Sequence, residues 1–250
     1  MAAASNILSD LPRHMREAVR FYWQTRTKQL EKQAGSGAKD QGLRSAVTGG
    51  AQMDGFISLL TQLVIKAGID RSQVFYNQSL ELPGYFRPTR QWDFLVVVKG
   101  QLVAALAVKS QAGPSFENSF NNCTDEATGS ALDFWAGFRQ QAFGTGSRPW
   151  LGYLLLLEDS AKSRTPLAVK ETHFQVFEEF RNSSYARRYE LFCHRLVLDR
   201  HYNSAAFLLS ESNAGLKGDY AEPAADLAFH KLAQLLFAQV AAFTGCIKEL

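Results

Sequence analysis

The chain has 250 residues, 46% hydrophobic and 20% charged, with 27 basic against 24 acidic side chains and a formal net charge of +3. That composition excludes disorder, collagen-like repeats and a disulfide-stapled miniature, and a chain this long buries roughly 70% of its unfolded surface without help from a metal. The longest apolar run, residues 102–108, falls far short of the ~20 residues a spanning helix needs. The start MAAASNILSD has no basic n-region, so no secretory signal is expected. Cys123, Cys193 and Cys246 form an odd set without CxxC spacing, which suits a reducing cytoplasm and argues against zinc. Basic residues gather in the first 50 positions and again at Arg181, Arg187, Arg188, Arg195 and Arg200, as a protein with one face toward a polyanion would have. A solvated helix surface explains the same pattern.

In chain order, an amphipathic helix is expected over about 10–33, with Pro12 in its first turn and Leu11, Met15, Ala18 and Tyr22 on one stripe. A flexible loop follows at 35–42. Phe56, Leu59, Leu60, Leu63, Val64 and Ala67 trace a second helix, stopped by Gly68. Residues 73–81 read as a strand, and 92–98 and 102–109 as a hairpin around Lys99-Gly100-Gln101. A polar loop is expected over 110–124. A helix carrying Ala127, Ala131, Phe134, Trp135 and Phe138 comes next, then a buried strand at 151–157. Helices near 171–181, 185–200 and 223–243 and a short strand at 205–210 complete the chain. The order implies an α/β fold with a central mixed sheet, and no repeat or domain boundary interrupts it.

The hairpin brings chemistry together. With the turn centred on Gly100, Asp93 faces position 107, and period-two alternation puts Lys109 on the same face while Val108 points away. An Asp and a Lys on adjacent strands are most simply a cross-strand ion pair. Yet both adjoin apolar strand residues, where unpaired charge is costly.

Pro88-Thr89-Arg90-Gln91-Trp92-Asp93 followed by Leu106-Ala107-Val108-Lys109 resembles the PD-(D/E)xK nuclease signature with one member missing. The segments 82–89 (LPGYFRPT), 109–111 (KSQ), 120–122 (FNN) and 129–133 (GSALD) are similar to the XhoI family of type II restriction endonucleases. The resemblance is densest over 80–140 and extends along most of the chain. It implies one domain over 1–250 with a PD-(D/E)xK nuclease core at about 54–160, a central mixed β-sheet flanked by helices, and terminal helices serving DNA binding and dimerisation. It further implies a homodimer in the bacterial cytoplasm that cuts double-stranded DNA at CTCGAG with Mg²⁺, leaving 5′-phosphate ends. A cognate methyltransferase in the same system is implied too. Asp93 matches the metal-binding aspartate, Lys109 the lysine that orients or activates the attacking water, and Val108 would offer its carbonyl to the metal.

Position 107 departs from the family, which has a carboxylate there. Mg²⁺ favours carboxylate oxygens, so Ala107 leaves Asp93 with little help, and reduced or absent cleavage with DNA binding retained is expected. Three readings of Ala107 stand: a deliberate Glu→Ala change that traps uncut DNA, which we favour; a natural inactive homologue; and a migrated carboxylate, Asp125 or Glu126, at the start of the next helix. Acids there have a simpler explanation in the helix dipole. Glu17, off the apolar stripe of the first helix, is a candidate additional catalytic and metal-binding acid, or equally an ion-pair partner of Arg13 or Arg20. Glu81 is weaker on the same grounds.

For DNA reading, the polar stretch with Ser110, Gln111, Asn118, Asn121 and Asn122 is preferred because it follows the active-site strand, and Asn or Gln suits adenine. Arg87, Arg90, Arg187, Arg188, Arg195 and Lys217 come second, as phosphate contacts before base contacts. The alternatives are a site-specific DNA-binding protein on a nuclease scaffold without catalysis, and a structure-selective nuclease. The five histidines form no HxxH or HExxH pair.

Overall fold

A computed structural model describes residues 4–36, 50–144 and 146–248. Two helices open it, α1 (Ala4–Ser9) and α2 (Leu11–Ser36), the second outlasting its expected end. The loop expected at 35–42 lies, from residue 37 on, outside the described residues. After α3 (Asp54–Lys66) come the short strands β1 (Val74–Phe75), β2 (Glu81–Pro83) and β3 (Thr89–Gln91), then β4 (Phe94–Val98) and β5 (Gln101–Gln111). The helix α4 (Phe116–Arg139) leads to β6 (Trp150–Glu158), a single turn α5 (Ala161–Arg164), α6 (Tyr185–Leu198), β7 (Ser204–Ser210), α7 (Ser212–Gly215) and α8 (Phe229–Lys248).

The main sheet has the order β1-β4-β5-β6-β7, antiparallel across β1, β4 and β5 and parallel across β5, β6 and β7. It is the central mixed sheet expected. Each face is buried. Phe94, Val96, Leu106, Val108, Leu154 and Leu156 pack under α2, α3 and α8, while Leu95, Ala105, Ala107, Tyr153, Leu155 and Phe207 pack under α4 and α6. Leu11, Met15, Ala18 and Tyr22 are buried, as their stripe requires. No helix among the described residues is long and apolar enough to cross a membrane.

The hairpin departs from its expected register and then recovers it. Lys99 and Gly100 both take left-handed φ, 50° and 76°, so the turn has two central residues and pairs Val98 with Gln101. A bulge between Val96 and Val97 absorbs one residue of β5. Beyond it Val96 faces Ala104 and Phe94 faces Leu106, as expected.

Three expected elements change. Residues 73–81 are not one strand but β1, an irregular stretch and the start of β2. The helix at 171–181 reduces to a 3-10 turn, Glu178–Phe180. Phe174 and Phe177 stay 87% and 78% exposed, and a helix that buries no apolar face has little to hold it. The polar loop expected at 110–124 shrinks to residues 112–115, between the end of β5 and the first turns of α4. Asn and Ser are poor helix formers, but Phe116 stacks on Tyr185 at 5.8 Å and Phe120 meets Tyr189 at 5.0 Å, so packing overrides propensity.

Strand β6 tolerates no side chain at Gly152: a Cβ there would stand 2.4 Å from the Trp150 ring and 3.2 Å from Leu106. Gly152→Ala is expected to cost about 1–3 kcal/mol by overpacking, read as a lower urea midpoint at unchanged m.

Candidate active site

Period-two alternation sends Ala107 and Lys109 to the α4 side of the sheet and Val108 to the other. Asp93 occupies the bend before β4, its N–H donating to the Leu106 carbonyl at 3.3 Å. Its Oδ2 accepts the Val108 N–H at 2.8 Å and lies 3.0 Å from Lys109 Nζ. The Val108 N–H and C=O leave the strand by the same edge, so its carbonyl is directed toward the end of β4 where Asp93 stands.

Helix α4 closes the group. Glu126 Oε1 lies 3.4 Å from Lys109 Nζ and accepts from Arg90 Nη2 at 2.6 Å. Lys109 is thus shared by two carboxylates, and Arg90 balances the second. The site lies on the α4 face of the sheet, over the second half of β5 and the middle of β6. A cavity of about 230 Å³ contains Arg90, Asp93, Ala107, Lys109, Ser110, Gln111, Asn122 and Glu126 in its wall, with Tyr153 and Tyr189 at its floor. Its charged lining is two cations and two anions.

Burial disfavours the Lys109 ammonium, but Asp93 and Glu126 more than offset it and hold the pKa above its ordinary value. Burial also opposes the Glu126 carboxylate, and Lys109 with Arg90 outweighs it, so that pKa lies below the usual range. Cys123 Sγ stands 2.9 Å from the Tyr153 hydroxyl, and burial pushes its thiol up to about 11. It is no nucleophile near neutral pH.

The sequence candidates divide by position. Asp93, Ala107, Lys109, Ser110, Gln111, Asn122 and Arg90 meet in the cavity. Asn118 and Asn121 are exposed on α4, on a helix rather than a loop. Arg87 Nε lies 3.2 Å from Asp133, outside the cavity. Arg187 pairs with Glu190, Arg188 donates to Ser183 Oγ at 3.0 Å, and Arg195 lies 3.6 Å from Glu179. The Lys217 carbonyl accepts from Arg20 at 3.0 Å. None of these last four lines the cavity.

Glu17 stands apart from Asp93. It pairs with Arg13 at 2.9 Å and lines a separate cleft between α2 and α3, with His14, Asp54 and Ser58. The stripe that buries α2 against α3 turns Glu17 toward its own helix neighbours. Glu81 is exposed on β2, opposite Gln91. Asp125 and Glu126 are not in the first turn of a helix, because α4 begins at Phe116. The helix-dipole explanation therefore falls for both, and Glu126 faces the cavity while Asp125 is exposed outside it. Asp133, with 1% exposure, was missed. Its signal was an acid set among Ala131, Phe134 and Trp135 in a run that otherwise reads as core.

Residues 32–222 match the profile of the family described as restriction endonuclease XhoI. The type II restriction enzyme BstVI of Geobacillus stearothermophilus is 51% identical over 225 residues, 88% of this chain and 100% of that one. AbrI of Azospirillum brasilense is 44% identical over 67% of this chain and 76% of its own. XhoI of Xanthomonas vasicola is 39% identical over 76% and 77%. No solved structure matches. A matched span this long, on a mixed sheet with a charged cavity on its α4 face, places the chain in the XhoI restriction endonuclease family, the type II site-specific deoxyribonucleases.

Proposed function

We propose that the chain forms a homodimer recognising the palindrome CTCGAG in double-stranded DNA, each subunit reading one half-site. Hydrolysis in this reading needs Mg²⁺ and leaves 5′-phosphate ends. Ala107 stands where the active site needs a carboxylate, as a Glu→Ala change would leave it, so this form binds the site and cuts it poorly. The observation that carries the reading is the meeting of Asp93, Lys109 and position 107 in one cavity on the α4 face of the sheet.

Asp93 and the Val108 carbonyl would hold the divalent ion, and their oxygen donors suit a hard cation. The fit is thin: among the described residues no three His, Cys, Asp or Glu side chains come together as a metal cluster. When bound, the ion supplies Lewis acidity and a water of lowered pKa. Lys109, held as an ammonium, orients the attacking water and opposes the growing phosphate charge. Ser110, Gln111 and Asn122 border the place a phosphate would take, and Arg90 adds a cation at its rim. Asn118, Asn121, Arg87, Arg187, Arg188, Arg195 and Lys217 remain proposed DNA contacts outside the cavity.

A second reading rests on one distance. Glu126, 3.4 Å from Lys109 Nζ, would supply the missing carboxylate from α4. The Ala107 chain would then cleave.

The test measures binding and cleavage of CTCGAG and scrambled duplexes by the present chain and by Ala107→Glu, with Mg²⁺ and with EDTA. Selective binding by both and cleavage by the revertant alone is the expected result. Selective binding without cleavage by either points to a binding protein on a nuclease scaffold, and cleavage by the Ala107 chain favours Glu126. In EDTA the Ala107 chain is expected to bind several-fold more tightly than Ala107→Glu, since the added carboxylate repels phosphate; a filter-binding titration checks this.

A further inference from the structure

The β2–β3 loop turns two aromatic residues outward. Tyr85 is 62% exposed and Phe86 75%, their rings edge to face at 6.0 Å. The exposure does not come from a slack loop. The backbone N–H groups of both residues donate to Asp133 Oδ1, at 2.6 and 2.8 Å, and Arg87 Nε stands 3.2 Å from Oδ2. Gly84 permits this close approach, since a Cβ there would lie 2.4 Å from Asp133 Oδ2 and 2.6 Å from the Arg87 carbonyl. A buried carboxylate is expensive, and this one is spent on fixing the loop.

The loop also has a definite place beside the cavity. Asp133 lies two helical turns beyond Glu126 on α4, a rise of about 10 Å. Arg90, in the middle of β3 opposite Leu82, reaches Glu126 itself. The tip is flanked by the half-exposed Arg87, itself paired with the buried Asp133, so an aromatic pair projects from a turn fixed by one carboxylate. Apolar wedges between base steps are a recurrent way of opening a duplex.

We propose that Tyr85 and Phe86 form a wedge that enters bound DNA within a few base pairs of the scissile phosphate, Phe86 stacking on an exposed base and Asp133 acting as the positioning residue. This rests on the reading of the chain as a DNA endonuclease and adds an element that reads or deforms the duplex. Because it needs no metal, it is testable in the Ala107 chain.

The experiment titrates the full chain in EDTA with CTCGAG duplexes carrying 2-aminopurine at the adenine of the site and, in turn, at flanking adenines. Binding by the parent is expected to raise fluorescence at one position through unstacking. Phe86→Ala is expected to bind roughly tenfold or more weakly and to give no rise there, with an unchanged thermal midpoint. Tyr85→Ala should weaken binding less, and Phe86→Leu should retain part of the rise. If the parent binds selectively and Phe86→Ala matches it in affinity and in fluorescence at every position, the wedge is rejected while the endonuclease reading stands. If the parent binds no duplex selectively, the CTCGAG reading fails and the wedge falls with it. A Phe86→Ala chain that changes oligomeric state by light scattering, with its DNA signal intact, would assign the tip to a partner subunit and overturn the proposal.

Discussion

Ala107→Glu is expected to raise Mg²⁺-dependent cleavage of a CTCGAG duplex about a thousandfold, some 4 kcal/mol of barrier. The cavity now carries Arg90 and Lys109 against Asp93 and Glu126, a balance that gives a divalent cation no net attraction. A carboxylate at 107 makes the lining net negative and puts a second hard donor beside Asp93. Space is available, because the Ala107 methyl already borders the cavity. The side chain leaves the strand on the Lys109 side, across from Tyr153, so a longer residue extends toward the two existing carboxylates. Single-turnover cleavage of a radiolabelled duplex measures the effect. Asp93→Ala in the Ala107→Glu background should return the rate to that of the Ala107 chain. An unchanged rate in Ala107→Glu, with selective binding kept, would reject the disabled-site reading.

Much of this arrangement was open to sequence reasoning because strands obey a rigid period. Once β4 and β5 were paired across Gly100, Asp93, position 107 and Lys109 had to share a face. The pairing survived a wrong turn only because a bulge at Val96 and Val97 compensated for it. Nothing in those valines announces a bulge. Helix α4 was half legible. Its later residues show a plain apolar stripe, whereas its first turns carry Asn118, Asn121 and Asn122, whose propensities favour a loop. The stripe of Phe116, Phe120, Cys123 and Ala127 was present but diluted by polar neighbours. With the helix start misplaced, Glu126 is offered beside Asp125 as a carboxylate reaching the metal and set against the helix dipole, while its pairing with Lys109 and Arg90 is not foreseen. Long-range ion pairs of that kind depend on how helices dock, which local pattern does not carry. The helix expected at 171–181 fails in the opposite sense, because Phe174 and Phe177 find no surface to cover.

Glu126→Gln, introduced into Ala107→Glu, is expected to lower single-turnover cleavage about 10–100-fold, the range for outer residues that orient a catalytic group. The argument is geometric. Glu126 holds both Lys109, at 3.4 Å, and Arg90, at 2.6 Å, and its removal leaves the Lys109 ammonium tethered by Asp93 alone. A half-buried lysine with one partner samples more rotamers, and the orienting role proposed for it would lose precision before it loses charge. The loss should therefore fall on the maximal rate, with the half-saturating Mg²⁺ concentration unchanged. In EDTA the same variant should bind the duplex several-fold more tightly, since an anion has left the phosphate site. A rise in half-saturating Mg²⁺ would instead show Glu126 to be a ligand of the ion. Applying the substitution to the Ala107 chain completes the cycle: with no carboxylate at 107 there is little cleavage to lose, so the two substitutions are expected to be strongly non-additive. Additive losses would mean that Glu126 and position 107 act independently, and the shared hold on Lys109 would have no catalytic consequence.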